Sequence, residues 1–188
     1  NEGLMREHGL LVRLLLVYEA AAGRLAAGDT APLGLMHQAA ATVRRFVEDC
    51  HERTEERFVF PRVEKTAMKP LVDVLLAQHQ AGRVLTDRLL ELTAAPPTPT
   101  GREDIAALTA AFTRMYLPHL AREDTVLFPA FHASLPETEY DDMGERFEDS
   151  ERETLGHGGF EATLAGVTEL ERELGICDLA QFTPGVAE

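Results

Sequence analysis

Apolar positions near the start of the chain recur at intervals of three, four or seven: Leu4, Leu11, Leu15, Tyr18, Ala22 and Leu25 form one stripe. That spacing is the seam of a helix packed in a bundle. Three more stripes follow, and each carries a polar residue in phase. They read Val43, Val47, His51, Glu55, Phe58; then Val72, Leu76, His79, Arg83, Thr86, Leu90; then Leu108, Phe112, Met115, His119, Glu123, Val126, Ala130. In the first stripe His8 falls at the matching phase. Strand-type alternation is absent and the breakers cluster, so the pattern predicts long helices joined by short turns. They cover about residues 4–27, 32–66, 70–95 and 102–133, with turns around Gly28 to Pro32 and Pro96 to Gly101 and a break or bend at Pro118 and Pro129. The expected fold is all-α: an up-down four-helix bundle over residues 1–133, and a C-terminal helical extension over 134–188 packed on its outside. Within the extension an acidic stretch, Glu137 to Glu153, precedes a short helix from Phe160 to about Leu174, and residues 175–188 read as extended or mobile.

Length and composition fit one soluble globular domain with a sizeable core. No apolar run approaches the roughly 18 residues of a membrane span. With 18 basic against 32 acidic side chains, the formal charge of -14 repels nucleic acid and anionic lipid, so neither is an expected partner. Cys50 and Cys177 have no metal-type spacing and frame no disulfide scaffold. Together with the lack of a secretory signal pattern, this gives a cytoplasmic expectation.

The chemistry lies in a repeat. Residues 51–61 and 119–129 share the pattern H-x-x-x-E-[ED]-x-x-[VL]-F-P. Histidine and glutamate four apart lie one above the other on a helix, so both reach one centre. His8 precedes His51 by 43 residues and His79 precedes His119 by 40, so the chain reads as two similar helical hairpins. Four imidazoles and two carboxylates turned into a dry core are costly: an unpaired buried polar group costs roughly 1–3 kcal/mol, and a buried charge far more. Bound cations remove that cost. The mixed donor set suits iron or manganese, accepts zinc, and disfavours thiolate-seeking metals.

This order of motifs on four helices resembles the hemerythrin-like HHE cation-binding family over about residues 4–133, and the tail resembles that of bacterial members with a fifth helix. The resemblance implies two iron ions joined by a bridging oxo or hydroxo species. His8 and His51 would hold one, His79 and His119 the other, and Glu55 and Glu123 would bridge both. Two departures from the oxygen-carrying hemerythrins stand out. Leu75 occupies the position four before His79, where they have a further histidine, and Glu123 follows His119 by four residues rather than five. Glu52 is the candidate to fill the missing donor, as a carboxylate does in the iron-sensing hemerythrin domain of an F-box ubiquitin-ligase subunit, although a glutamate beside a helical histidine equally fits a solvated i,i+4 partner.

The remaining candidates read more simply. Asp124 is expected to be an exposed neighbour, Tyr18 and Tyr116 either hydrogen-bond donors behind the ligands or, more simply, core aromatics, and the Phe60-Pro61 and Phe128-Pro129 pairs devices that set packing and end or bend helices. His37, His132 and His157 fall away from the repeat, and the run Glu145 to Glu153 reads as a solvated face. Three functional readings follow. The first is uptake of dioxygen, nitric oxide or a related small ligand, as a carrier, store or sensor. The second is a di-iron oxidoreductase acting on dioxygen or peroxide. The third, iron sensing through metal-dependent folding, lacks a visible output domain.

Overall fold

The computed structural model describes residues 2–184. Six helices account for nearly all of them: α1 (Glu2–Ala26), α2 (residues 33–63), α3 (Lys69–Thr93), α4 (residues 99–133), α5 (Glu137–Leu155) and α6 (Gly159–Leu174). No strand occurs among the described residues. The first four form the bundle, and the turns fall where glycine and proline cluster. Thr98 caps α4 by accepting from the Gly101 amide at 3.1 Å.

The acidic stretch after Pro136 is itself a helix, α5, so the extension contributes two helices. Between them Gly156 and Gly158 take positive φ (83° and 70°), which other residues adopt only with strain and which reverses the chain within three residues. The sixth helix is tied to the first by Arg13, which donates to both oxygens of Glu171 at 2.8 and 2.5 Å. The fifth lies on the other end of the bundle, where Phe147 packs against Phe58 and Phe131. Of the tail expected to be extended, residues 175–178 and 183–184 lack helix, Leu179–Phe182 forms a short 3-10 helix, and residues 185–188 lie outside the described residues. None of the described helices is long and apolar enough to cross a membrane.

Neither Pro118 nor Pro129 ends α4. Pro118 sits within regular helix, whereas Pro129, like Pro61 in α2, follows a π-helical turn. The amide of Phe60 donates to the carbonyl of Glu55, and that of Phe128 to Glu123, each five residues back. A proline lacks the N–H that an α-helix would use there, and its ring would meet the carbonyl four residues earlier; the wider turn relieves both. The extra residue also moves the inward face on by one. Val59 and Leu127 are buried where the plain periodicity predicted Phe58 and Val126, and Val126 is exposed. In α3 the buried face runs Val72, Leu75, His79, Gly82, Thr86, Leu89, one residue off the expected Leu76, Arg83 and Leu90.

The core divides into two apolar clusters. One gathers Leu11, Leu15, Tyr18, Val43, Val47 and Phe112. The other gathers Leu4, Val59, Phe60, Val72, Leu127 and Phe128. A layer of buried histidine and glutamate lies between them.

Candidate metal centre

All six residues of the repeat and its lone histidines meet in that layer, each 4% exposed or less. The Nε2 atoms point inward. Glu55 lies between two imidazoles, with Oε1 3.6 Å from His51 Nε2 and Oε2 3.6 Å from His79 Nε2. Glu123 does the same for the other pair, with Oε2 3.4 Å from His8 Nε2 and Oε1 3.1 Å from His119 Nε2. His8 and His51 turn their Nε2 atoms toward each other at 3.0 Å, a separation that two lone pairs cannot share without a proton or a cation between them. Both oxygens of Glu55, both of Glu123 and the Nε2 of His79 are buried without a hydrogen-bond partner. Orphaned acceptors facing one point are what a bound cation would satisfy.

Each outward Nδ1 is held. His8 Nδ1 donates to Asp124 at 2.8 Å, His51 Nδ1 to Glu7 at 2.6 Å, His79 Nδ1 to Glu56 at 3.0 Å and His119 Nδ1 to Gln78 at 2.9 Å. Such partners fix ring orientation and tautomer and leave Nε2 available as a donor to a metal. The pattern has approximate two-fold symmetry. The residue just before each lone histidine (Glu7, Gln78) holds the paired histidine of its own hairpin. The residue just after each glutamate of the repeat (Glu56, Asp124) holds the lone histidine of the other hairpin. Asp124 is therefore a partner of His8 rather than an exposed bystander. The phenylalanines of the two Phe-Pro pairs repeat the symmetry: Phe128 stacks on His8 and Phe60 on His79, both with ring centroids 5.4 Å apart. Sequence reasoning missed these supports. Their signal was present in the acidic residue shared after both glutamates and in the Glu or Gln before both lone histidines.

The electrostatics reflect crowding of charge in a dry space. Burial, reinforced by Glu123, holds the Glu55 carboxyl well above the ordinary carboxylate range. Burial acts the same way on Glu123, but the nearby imidazoles of His119 and His8 outweigh it and hold that carboxyl below the range. His8 is disfavoured as a cation by burial, yet Asp124 and Glu123 raise it to about 9. Burial pushes His79 down against the pull of Glu56.

Glu52 lies beside this centre, 1% exposed. One of its oxygens accepts from the Tyr116 hydroxyl at 2.5 Å, and the other pairs with Arg83 at 2.8 Å. Burial lifts its carboxyl to about 8 although both partners oppose the shift. Glu52, Glu56 and His79 each offer an atom within 4.8 Å of the others. Tyr116 is thus more than a core aromatic. Its hydroxyl rests over Gly82, where a Cβ would lie 2.2 Å from the phenol oxygen. Tyr18 is a core aromatic as expected, and its hydroxyl has no hydrogen-bond partner. The other histidines stand apart: His37 bonds Thr93, His132 packs against Tyr140, and His157 is exposed in the glycine turn.

A helical bundle whose midsection holds convergent imidazoles and carboxylates defines a cation-binding protein of the histidine–carboxylate type. The chain belongs to the hemerythrin HHE cation-binding domain family, whose model matches residues 1–131. It is also similar to the uncharacterized protein Rv1995 of Mycobacterium tuberculosis and the uncharacterized protein Mb2018 of Mycobacterium bovis. Each is 45% identical over 186 residues, which cover 97% of this chain and 73% of the relative.

Proposed function

We propose that the chain is a non-haem di-iron protein that binds dioxygen, nitric oxide or a related small ligand between its four helices. The observation that carries this reading is the set of inward imidazole Nε2 atoms and partnerless carboxylate oxygens, every ring held from behind through its Nδ1. His8, His51, Glu55 and Glu123 form one set of donor atoms lying within 4.8 Å of one another, and His79, His119 and Glu123 form a second, with the other oxygen of Glu55 adjacent to His79. Iron bound there would supply an open coordination position and reversible electron transfer to a small ligand. The protein supplies a dry pocket, four oriented imidazoles and two carboxylates that span both positions.

A specific feature favours a second reading, an oxidoreductase acting on dioxygen or peroxide. A phenol hydrogen-bonded to a buried carboxylate, Tyr116 to Glu52, stands next to the His79–His119 position. Glu52 has lone pairs beyond those that face Tyr116 and Arg83, and one of its oxygens already lies within 4.8 Å of a His79 nitrogen.

Metal analysis of protein loaded anaerobically with ferrous ion, followed by exposure to oxygen, tests both. Two irons per chain and a spectral change reversed by removing oxygen are expected. Immediate irreversible oxidation with turnover of added peroxide selects the second reading. The assignment fails if no iron is retained, or if His119→Ala holds as much iron as the parent.

A further inference from the structure

The approximate symmetry of the centre is broken at one pair of positions. Behind the His8–His51 half, both Nδ1 atoms donate to carboxylates, Asp124 and Glu7. Behind the other half, His79 donates to Glu56, whose same oxygen also accepts from Arg83 at 2.7 Å, and His119 donates to the neutral amide of Gln78. Residues 7 and 78 occupy the same place in the two hairpins, so glutamate in one and glutamine in the other is a difference of about one charge applied to one imidazole. An imidazole that donates to a carboxylate becomes a more basic donor at its far nitrogen, and partners of this kind typically carry about 10–100-fold in metal affinity. The inner carboxylates do not favour the first half: Glu55 stands 3.6 Å from both His51 and His79, and Glu123 3.4 Å from His8 and 3.1 Å from His119, so the outer partners carry the difference.

We propose that the two cation positions are unequal by construction, with Glu7 and Gln78 as the positioning residues that set the difference. The His8–His51 position fills first and holds its ion more tightly; the His79–His119 position is the exchangeable one. This rests on the metal reading above and adds to it which position is labile and why.

The test uses the whole chain, stripped of metal by chelation and titrated with cobalt(II) against a competing chelator, each step followed in the visible spectrum. The parent should take up two ions in two steps separated by about tenfold or more. Gln78→Glu should tighten the second step by about tenfold and bring the two together, whereas Glu7→Gln should weaken the first by a similar factor. A gain of affinity confined to one step is a change that a merely structural role for residue 78 would not produce. Two equal affinities in the parent overturn the proposal. So does a second step unmoved by Gln78→Glu, or an equal rise in both steps, which would report only added charge. If Gln78→Glu fails to give a helical protein by circular dichroism, the first step of Glu7→Gln decides alone, and an unchanged value there overturns the proposal. A parent that binds no cobalt at all instead removes the metal reading, an outcome distinct from two equal sites.

Discussion

Gly82 lies in the interior of α3, where replacing glycine by alanine ordinarily stabilises a helix by roughly 0.5–1 kcal/mol. Here the sign should reverse. An alanine Cβ would stand 2.2 Å from the Tyr116 hydroxyl oxygen and 3.0 Å from two carbons of its ring, so the ring must move. Overpacking of this kind costs about 1–3 kcal/mol. Displacing the phenol also breaks its hydrogen bond to Glu52, which keeps its proton near neutral pH, and a bond between neutral groups contributes about 0.5–1.5 kcal/mol. After the helix gain is subtracted, Gly82→Ala should lose roughly 0.5–4 kcal/mol, a fall in Tm of up to roughly 15 °C for a chain of this size. Thermal unfolding of Gly82→Ala, Tyr116→Phe and the double variant separates the causes. Removing the hydroxyl takes away the closest clash, so the cost of Gly82→Ala should shrink in the Tyr116→Phe background by about 1 kcal/mol or more. A Gly82→Ala protein as stable as the parent, or strictly additive costs, would refute this account of why a glycine is there.

In chelated protein, stability should fall as pH rises. His8 is raised from its ordinary 6.5 to about 9, so its contribution is complete below pH 6.5 and is lost as pH climbs through 9, a total of about 3 kcal/mol. Glu52, raised from 4.5 to about 8, keeps its proton in the folded state where the unfolded chain has lost it, which lowers stability further between those values. Urea unfolding at pH 6 and pH 9 checks the sign, and a flat or rising profile contradicts it. Phe60→Ala and Phe128→Ala should each cost about 3–5 kcal/mol, since both rings are buried and stacked on a histidine; losses below about 1 kcal/mol, like those at the surface, would argue against that packing. Glu52→Gln should leave the number of bound metal ions unchanged but alter the visible spectrum and oxidation rate of the loaded protein. Identical spectra and rates would remove Glu52 from the centre.

The six residues that converge were legible because helical phase is local. His51 and Glu55, or His119 and Glu123, share a face whatever surrounds them, and a repeat shows that the sharing recurs. The outer partners were harder to see because they act between helices. Nothing in the spacing of α4 says that Asp124 will face His8, and an aspartate beside a buried glutamate has the same local pattern whether it bonds a ring or meets water. The π turns escaped for another reason: a stripe read at 3.6 residues per turn holds only while that number is constant, and one extra residue in a turn shifts the inward face from Phe58 to Val59 without any change in composition. Tyr116 looked like core because an aromatic on a buried stripe fits either role. The distinguishing residue, Gly82, lies on a different helix, and only the packed structure shows what it makes room for.

The cross-bracing of the centre, in which Asp124 supports His8 while Glu56 supports His79, means that neither hairpin contains a complete binding unit. A hairpin taken alone would leave the outer nitrogen of its lone histidine without an acceptor, so the two halves orient each other and neither ring is fixed until both have packed.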